Sequence, residues 1–279
     1  MEWKEAFASA LRDQGYSKVV IVDRGGLREY AQLVPAAEDL VREKVDVIVA
    51  YGAKAPAEAA RTTKTIPIII VGGDPVPMGL AKTHSRPGGN VTAISARNTE
   101  LYGKQLELLR EFVPKLKRVA VLLNPESATE VTGLETIKAH ARLMSLELQS
   151  IEIRKPADFE SAFAAGAAWH PEGLLMIAST LFIAHRERIA TLALKYNMPS
   201  VTRRSEYVRS GLLASYGPSI AQLFYRAGGY AARVLKGQSV ADLPVDQAAE
   251  FELVVNEKTA RMLGLGIPST VRLRATVVQ

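Results

Sequence analysis

The sequence predicts an α/β protein with two lobes, each a parallel sheet wrapped by helices. Short apolar, β-branched runs alternate with segments whose apolar residues recur at helical spacing, the pattern of strand–helix–strand units. At Arg118 the alternation begins afresh, giving two successive units of similar size without strong sequence repetition. Glycine and proline clusters stand where strands must end, as in Gly72-Gly73-Asp74-Pro75 and Arg86-Pro87-Gly88-Gly89-Asn90.

Trp3, Phe7, Ala10 and Leu11 share a helical face, and Gly15 closes that helix. Lys18 to Asp23 is a short β-rich run ending at Gly25-Gly26. Tyr30 to Arg42 reads as helix, Val45 to Tyr51 as strand, and Ala55 to Thr63 as helix, with Pro56 tolerated in its first turn. Ile66 to Val71 is apolar enough for a strand buried on both faces, and Val91 to Ser95 is the next strand. Tyr102, Leu106, Leu109 and Phe112 mark a further helix.

In the second half, Val119–Leu123, Glu147–Ile153, Gly173–Ala178, Pro199–Thr202 and Gly211–Ser215 read as strands. Helices are carried by Val131, Leu134, Ile137, Ala141 and Met144, by Phe159–Trp169, and by one face holding Phe182, His185, Ile189, Leu192 and Tyr196. Crossovers between lobes are expected near Ala96 to Thr99 and at Tyr216-Gly217-Pro218. A helix at Ile220–Leu235, a strand at Phe251–Val255 and a helix at Lys258–Leu263 complete the chain.

The 279 residues suffice for two modest lobes with ample core. A hydrophobic content of 48% with 23% charged residues is ordinary for a globular protein. The net charge of +6 is scattered, so no basic stripe suited to nucleic acid forms. The absence of cysteine rules out disulfides, thiolate metal sites and cysteine nucleophiles. His84, His140, His170 and His185 are dispersed and show no metal-ligand spacing. There is no G-x-S-x-G elbow and no Walker A loop, and Glu126, Glu130 and Glu152 are not visibly paired for acid–base work. No catalytic set and no cofactor site emerge.

What remains is a set of polar and small residues at the carboxyl ends of the strands, where open α/β sheets bind ligands. From the first lobe these are Tyr51, Gly52, Ala53, Gly72, Gly73 and Asp74; from the second, Asn124, Ser127, Ser179, Thr180, Thr202, Arg203, Ser215 and Tyr216. Each has a structural alternative. Ser127 and Ser179 suit helix N-caps, Asp74 before Pro75 suits a turn, and the tyrosines suit packing at a crossover. Arg203 is a fork suited to a carboxylate.

One motif adds more. Asp-Pro-Val-x-x-Gly-Leu-x(6)-Arg-Pro-Gly-Gly-Asn-Val-Thr, on Asp74 to Thr92, resembles the ABC-transporter substrate-binding proteins of the type I periplasmic-binding fold, in the sub-family that includes tryptophan and tyrosine binders. Lys44 to Gly52, Ser215 to Pro218 and Ala241 to Pro268 match the same pattern, so the resemblance covers nearly the whole chain. It implies three crossings, with residues 1–95 plus about 217–240 in one lobe and 97–215 plus about 250–279 in the other. It also implies a periplasmic or extracytoplasmic protein that closes two lobes on a small molecule and delivers it to an ABC permease. With Arg203 and the tyrosines, it favours an amino acid or aromatic carboxylate.

The N-terminus departs from that pattern. The family places a signal sequence and a first strand before the helix equivalent to Trp3–Gln14, and neither is present here. Either the start is truncated, or the first lobe completes its sheet otherwise, for instance with a strand from a second copy in a homodimer. Two other functions share the architecture: the effector-binding domain of a transcription regulator, and a two-lobed enzyme such as a racemase or sugar transferase. The first needs a DNA-binding headpiece, the second an acid–base pair.

Overall fold

The computed structural model describes residues 2–25, 32–52, 54–96, 101–177, 179–247 and 250–279, without the side chains of Glu2 and Thr180. The chain forms two compact units, residues 1–98 with 219–249 and residues 99–218 with 250–279, so it passes from one to the other three times.

The first unit opens with α1 (Glu2–Asp13), α2 (Leu33–Arg42), β1 (Ile48–Tyr51), α3 (Ala55–Thr62), β2 (Ile68–Gly72) and β3 (Val91–Ser95). The second holds α4 (Leu101–Phe112), β4 (Arg118–Leu123), α5 (Ala128–Leu143), β5 (Glu147–Glu152), α6 (Phe159–Ala167), β6 (Gly173–Met176), α7 (Thr180–Ala184), α8 (Arg186–Lys195), β7 (Ser200–Thr202), α9 (Ser205–Arg209) and β8 (Ala214–Gly217). The chain returns to the first unit for α10 (Ile220–Leu235) and β9 (Asp246–Gln247). It ends in the second with β10 (Glu252–Asn256), α11 (Glu257–Met262), α12 (Ser269–Arg272) and β11 (Thr276–Val278).

In the first unit the sheet order is β1-β2-β3-β9, parallel throughout. β2 is the central apolar run: Ile68, Ile69, Ile70 and Val71 are fully buried, as a strand covered on both faces demands. Thr92 donates its hydroxyl to the Leu243 carbonyl at 2.8 Å, fixing the segment that leads into β9. α10 packs along α1, and Phe224 stacks between Trp3 and Tyr51 at ring-centroid distances of 4.7 and 5.5 Å. Gly228 allows the helices to meet, because a Cβ there would stand 2.6 Å from the Phe7 carbonyl oxygen.

The second sheet runs β11-β10-β8-β7-β6-β4-β5. All its pairs are parallel except β8 with β10. One face is covered by α4 and α5 through Leu106, Leu109, Ile137 and Ala141; the other carries Phe159, Phe163, Phe182 and Tyr207.

Several expectations need correction. Lys18 to Asp23 forms no strand: it joins neither the open edge of β1 nor any other ladder among the described residues, and Val20 is 88% exposed. The segment is held instead by an ion pair from Lys4 to Asp23, which keeps that carboxyl below its usual range. The helix expected across Phe182 to Tyr196 divides at His185, whose backbone leaves the helical region. Its buried face nevertheless continues, because the Ile189 N–H still reaches the His185 carbonyl at 3.0 Å. The last strand before the second crossing is Ala214–Gly217 rather than Gly211–Ser215. Gly211, at φ +114°, belongs to the turn that ends α9. The expected start of the second helix at Tyr30 and the first crossover at residues 97–99 lie outside the described residues.

Candidate functional site

In the first unit the candidates gather at the carboxyl ends of β1 and β2. Tyr51 pairs with Val71 across the ladder, which sets Gly52 beside Gly72. Both glycines adopt left-handed backbone, φ +103° and +83°, conformations that a side chain would strain. A Cβ on Gly72 would touch the Tyr51 ring at 3.6 Å, so the tyrosine lies over the turn while Phe224 supports it from α10. Asp74 is engaged within its own loop: its carboxylate accepts from the Val76 N–H at 3.0 Å and faces His84 Nε2 at 2.8 Å. That is the turn-forming alternative. Gly73 lies between the two, and Ala53 is outside the described residues.

The second unit brings four of its candidates together around a residue that sequence reasoning set aside. Glu130, in the first turn of α5, is 5% exposed. Its carboxylate accepts the Asn124 N–H at 2.8 Å, and Ser127, Ser179 and Arg203 act on its charge. Burial pushes its pKa up to about 7, against the opposing pull of the Asn124 N–H, the two serines and the arginine. Asn124 and Ser127 come from the loop after β4, Ser179 from the loop after β6, and Arg203 from the end of β7. Ser127 and Ser179 are also N-caps, accepting from Glu130 N at 3.4 Å and Phe182 N at 3.3 Å, so the capping alternative holds alongside any ligand role.

Tyr102 on α4 completes the cluster. It is buried, which raises its pKa, while Arg203 lowers it and Glu130 raises it further. Its hydroxyl lies over Gly133, where a Cβ would come within 2.7 Å. Arg203 is half-buried, and among the described residues no acceptor hydrogen-bonds or ion-pairs with its guanidinium.

The remaining candidates sit apart. Thr202 is buried, its hydroxyl directed to the Met176 carbonyl at 3.3 Å, and Ser215 is 1% exposed, with no partner for its Oγ among the described residues. Both point into the core. Tyr216 is half-buried against Phe251 at 5.8 Å, and its carbonyl accepts from Gln105 Nε2 at 2.9 Å. Thr180 opens α7. The signal that could have found Glu130 was its spacing. Ser127-x-x-Glu130 is a capping box, yet here the carboxylate reaches past the cap to Asn124.

A family model described as ABC transporter substrate binding protein matches residues 2–279. The chain belongs to that family. As an ABC substrate-binding protein it serves as the solute-capturing component of an ABC system, and neither the regulator nor the enzyme reading describes the family. The tyrosine-binding protein of Clostridioides difficile is 28% identical over 266 residues, covering 94% of this chain and 76% of the relative. A conserved domain protein from Vibrio cholerae superposes with TM-score 0.88 at 28% identity, covering all of this chain and 94% of the other. A Streptococcus protein solved with L-Trp superposes with TM-score 0.89 at 24% identity over the same shares. These matches establish the type I periplasmic-binding fold for the substrate-binding protein. Among the described residues no helix is long and apolar enough to cross a membrane.

Proposed function

We propose that the solute is an amino acid with an aromatic side chain. Its carboxylate would be received in the second unit by Arg203, beside Ser127, Ser179 and Asn124. The observation that carries this reading is a half-buried guanidinium without an acceptor among the described residues, next to capped helix starts at the carboxyl edge of a parallel sheet. Tyr51, Gly52, Gly72 and Gly73 form the ligand-facing edge of the first unit, and Tyr51 and Tyr216 supply aromatic surface. The tyrosine-binding relative supports the choice of ligand class. The protein works outside the cytoplasm with an ABC permease as partner, and it releases its solute unchanged.

Arg203→Ala is expected to weaken L-tyrosine binding by about ten- to a hundredfold, the loss of one charge-assisted contact. Arg203→Lys should fall between, since an ammonium keeps the charge without the fork. Equal affinities in calorimetry for the wild type and both variants would remove Arg203 from the site.

A second copy is proposed to pair along the open edge of β1. That strand bonds only to β2 among the described residues, and Val19, Val20 and Ile21 stand exposed beside α1 in the same unit. Sedimentation equilibrium showing only monomer at high concentration would reject this.

A further inference from the structure

We propose that Gln105 is a positioning residue for solute capture: its amide stands in for a missing ladder bond at the end of β8 and so holds Arg203 in place. Gln105 is fully buried on α4, with Leu101 and Leu109 one turn away on the same face. Its Nε2 donates to the Tyr216 carbonyl at 2.9 Å, while its Oε1 is buried without a donor among the described residues. The amide cannot be turned round, because a carbonyl only accepts. A buried acceptor left unpaired costs stability, so the glutamine is no gain to an apolar core. What it supplies there is the one bond to Tyr216.

That bond falls where the sheet lacks one. The Asn256 N–H donates to the Leu213 carbonyl at 2.8 Å, so alternate pairs of the β8–β10 ladder are hydrogen bonded and the Tyr216–Leu253 pair is not. The Tyr216 carbonyl therefore faces away from β10, toward the side on which β7 has already ended at Thr202. Gln105 reaches it there from α4. The next residue, Gly217, lies against the residue that follows β7. A Cβ on it would stand 2.1 Å from the Arg203 carbonyl oxygen and 3.1 Å from the Arg203 Cβ. Holding Tyr216 thus keeps Gly217 against the backbone from which the guanidinium projects.

The effect on the solute rests on the proposed role of Arg203, and its ligand arm is a double-mutant cycle in the intact protein. L-Tyrosine is titrated calorimetrically into the wild type, Gln105→Met, Arg203→Ala and the double variant. Gln105→Met should weaken binding about fivefold, the worth of one neutral hydrogen bond. Gln105→Asn, a methylene too short to reach Tyr216, should do the same. In the Arg203→Ala background, Gln105→Met should cost less than about twofold. A second arm needs no ligand. Gln105→Met exchanges one unpaired acceptor for another, so the denaturant midpoint should stay near that of the wild type. The amide resonances of Gly217 and Arg203 should nevertheless shift. Wild-type affinity in Gln105→Met, or the same loss in both backgrounds, would overturn the action through Arg203. Unmoved resonances at Gly217 and Arg203 would overturn the positioning claim. If L-tyrosine failed to bind the wild type, the ligand assignment would fall, and the resonances would still decide whether Gln105 holds the end of β8.

Discussion

Gly217 ends β8, where a Cβ would lie 2.1 Å from the Arg203 carbonyl oxygen and 3.0 Å from its carbon. No side-chain rearrangement relieves a clash with backbone, so Gly217→Ala must push the end of β7 and Arg203 with it. Overpacking of this kind costs about 1–3 kcal/mol, and denaturant midpoints should show it together with weaker solute binding. Gly133 does similar service for Tyr102 but against a phenol oxygen, a softer obstacle. Glu130 ties stability to pH. Its folded pKa is raised from 4.5 to about 7, so the folded protein holds a proton that the unfolded chain releases. The corresponding stability is fully present below about pH 4.5 and is lost as pH rises through 7, on the order of 3 kcal/mol in all. Relative to the wild type, Glu130→Gln should thus gain stability between about pH 5 and pH 7 and level off by about pH 8. A stability difference independent of pH would show that Glu130 is ionised throughout.

At the scale of elements, α10 and α11 show how side chains anchor the returning segments. Phe224 is 5% exposed between Trp3 of α1 and Tyr51 of β1. Phe224→Ala should cost about 3–5 kcal/mol and free the Tyr51 ring, so unfolding curves and Tyr51 fluorescence should both change. Asn256 caps α11 through Thr259 N at 2.8 Å while its amide donates to the Val208 carbonyl at 3.0 Å. The strand–helix alternation was legible because β2 is an unbroken Ile-Ile-Ile-Val run and because the faces of α4 and α5 repeat at helical spacing. Lys18 to Asp23 was misread because β propensity describes one chain while a strand needs two. In the candidate site, Arg203, Asn124, Ser127 and Ser179 could be read from their positions at strand ends. The burial of Thr202 and Ser215 could not, since it depends on which face of β7 and β8 each residue takes, and a shift of β8 by a few residues decides that. Glu130 escaped because its carboxylate passes over the N-cap N–H to that of Asn124 in the preceding loop, a choice that spacing does not show.

At the scale of the whole molecule, two sheet units, three chain passages and a family match from residue 2 to residue 279 agree on a solute-binding protein. Nothing in that agreement selects the solute; the selection rests on the guanidinium of Arg203 and on the aromatic residues at the strand ends. Ligand present at about a hundred times its dissociation constant should stabilise the fold by roughly 2.7 kcal/mol, well within reach of a thermal melt. The most direct measurement is calorimetry of the wild-type protein with L-tyrosine and L-tryptophan against tyramine and tryptamine, which keep the ring and the amine but lack the carboxylate. Saturable binding of at least one amino acid is expected, with no measurable binding of its amine. Equal binding of an amino acid and its amine, or heat from none of the four, would contradict it.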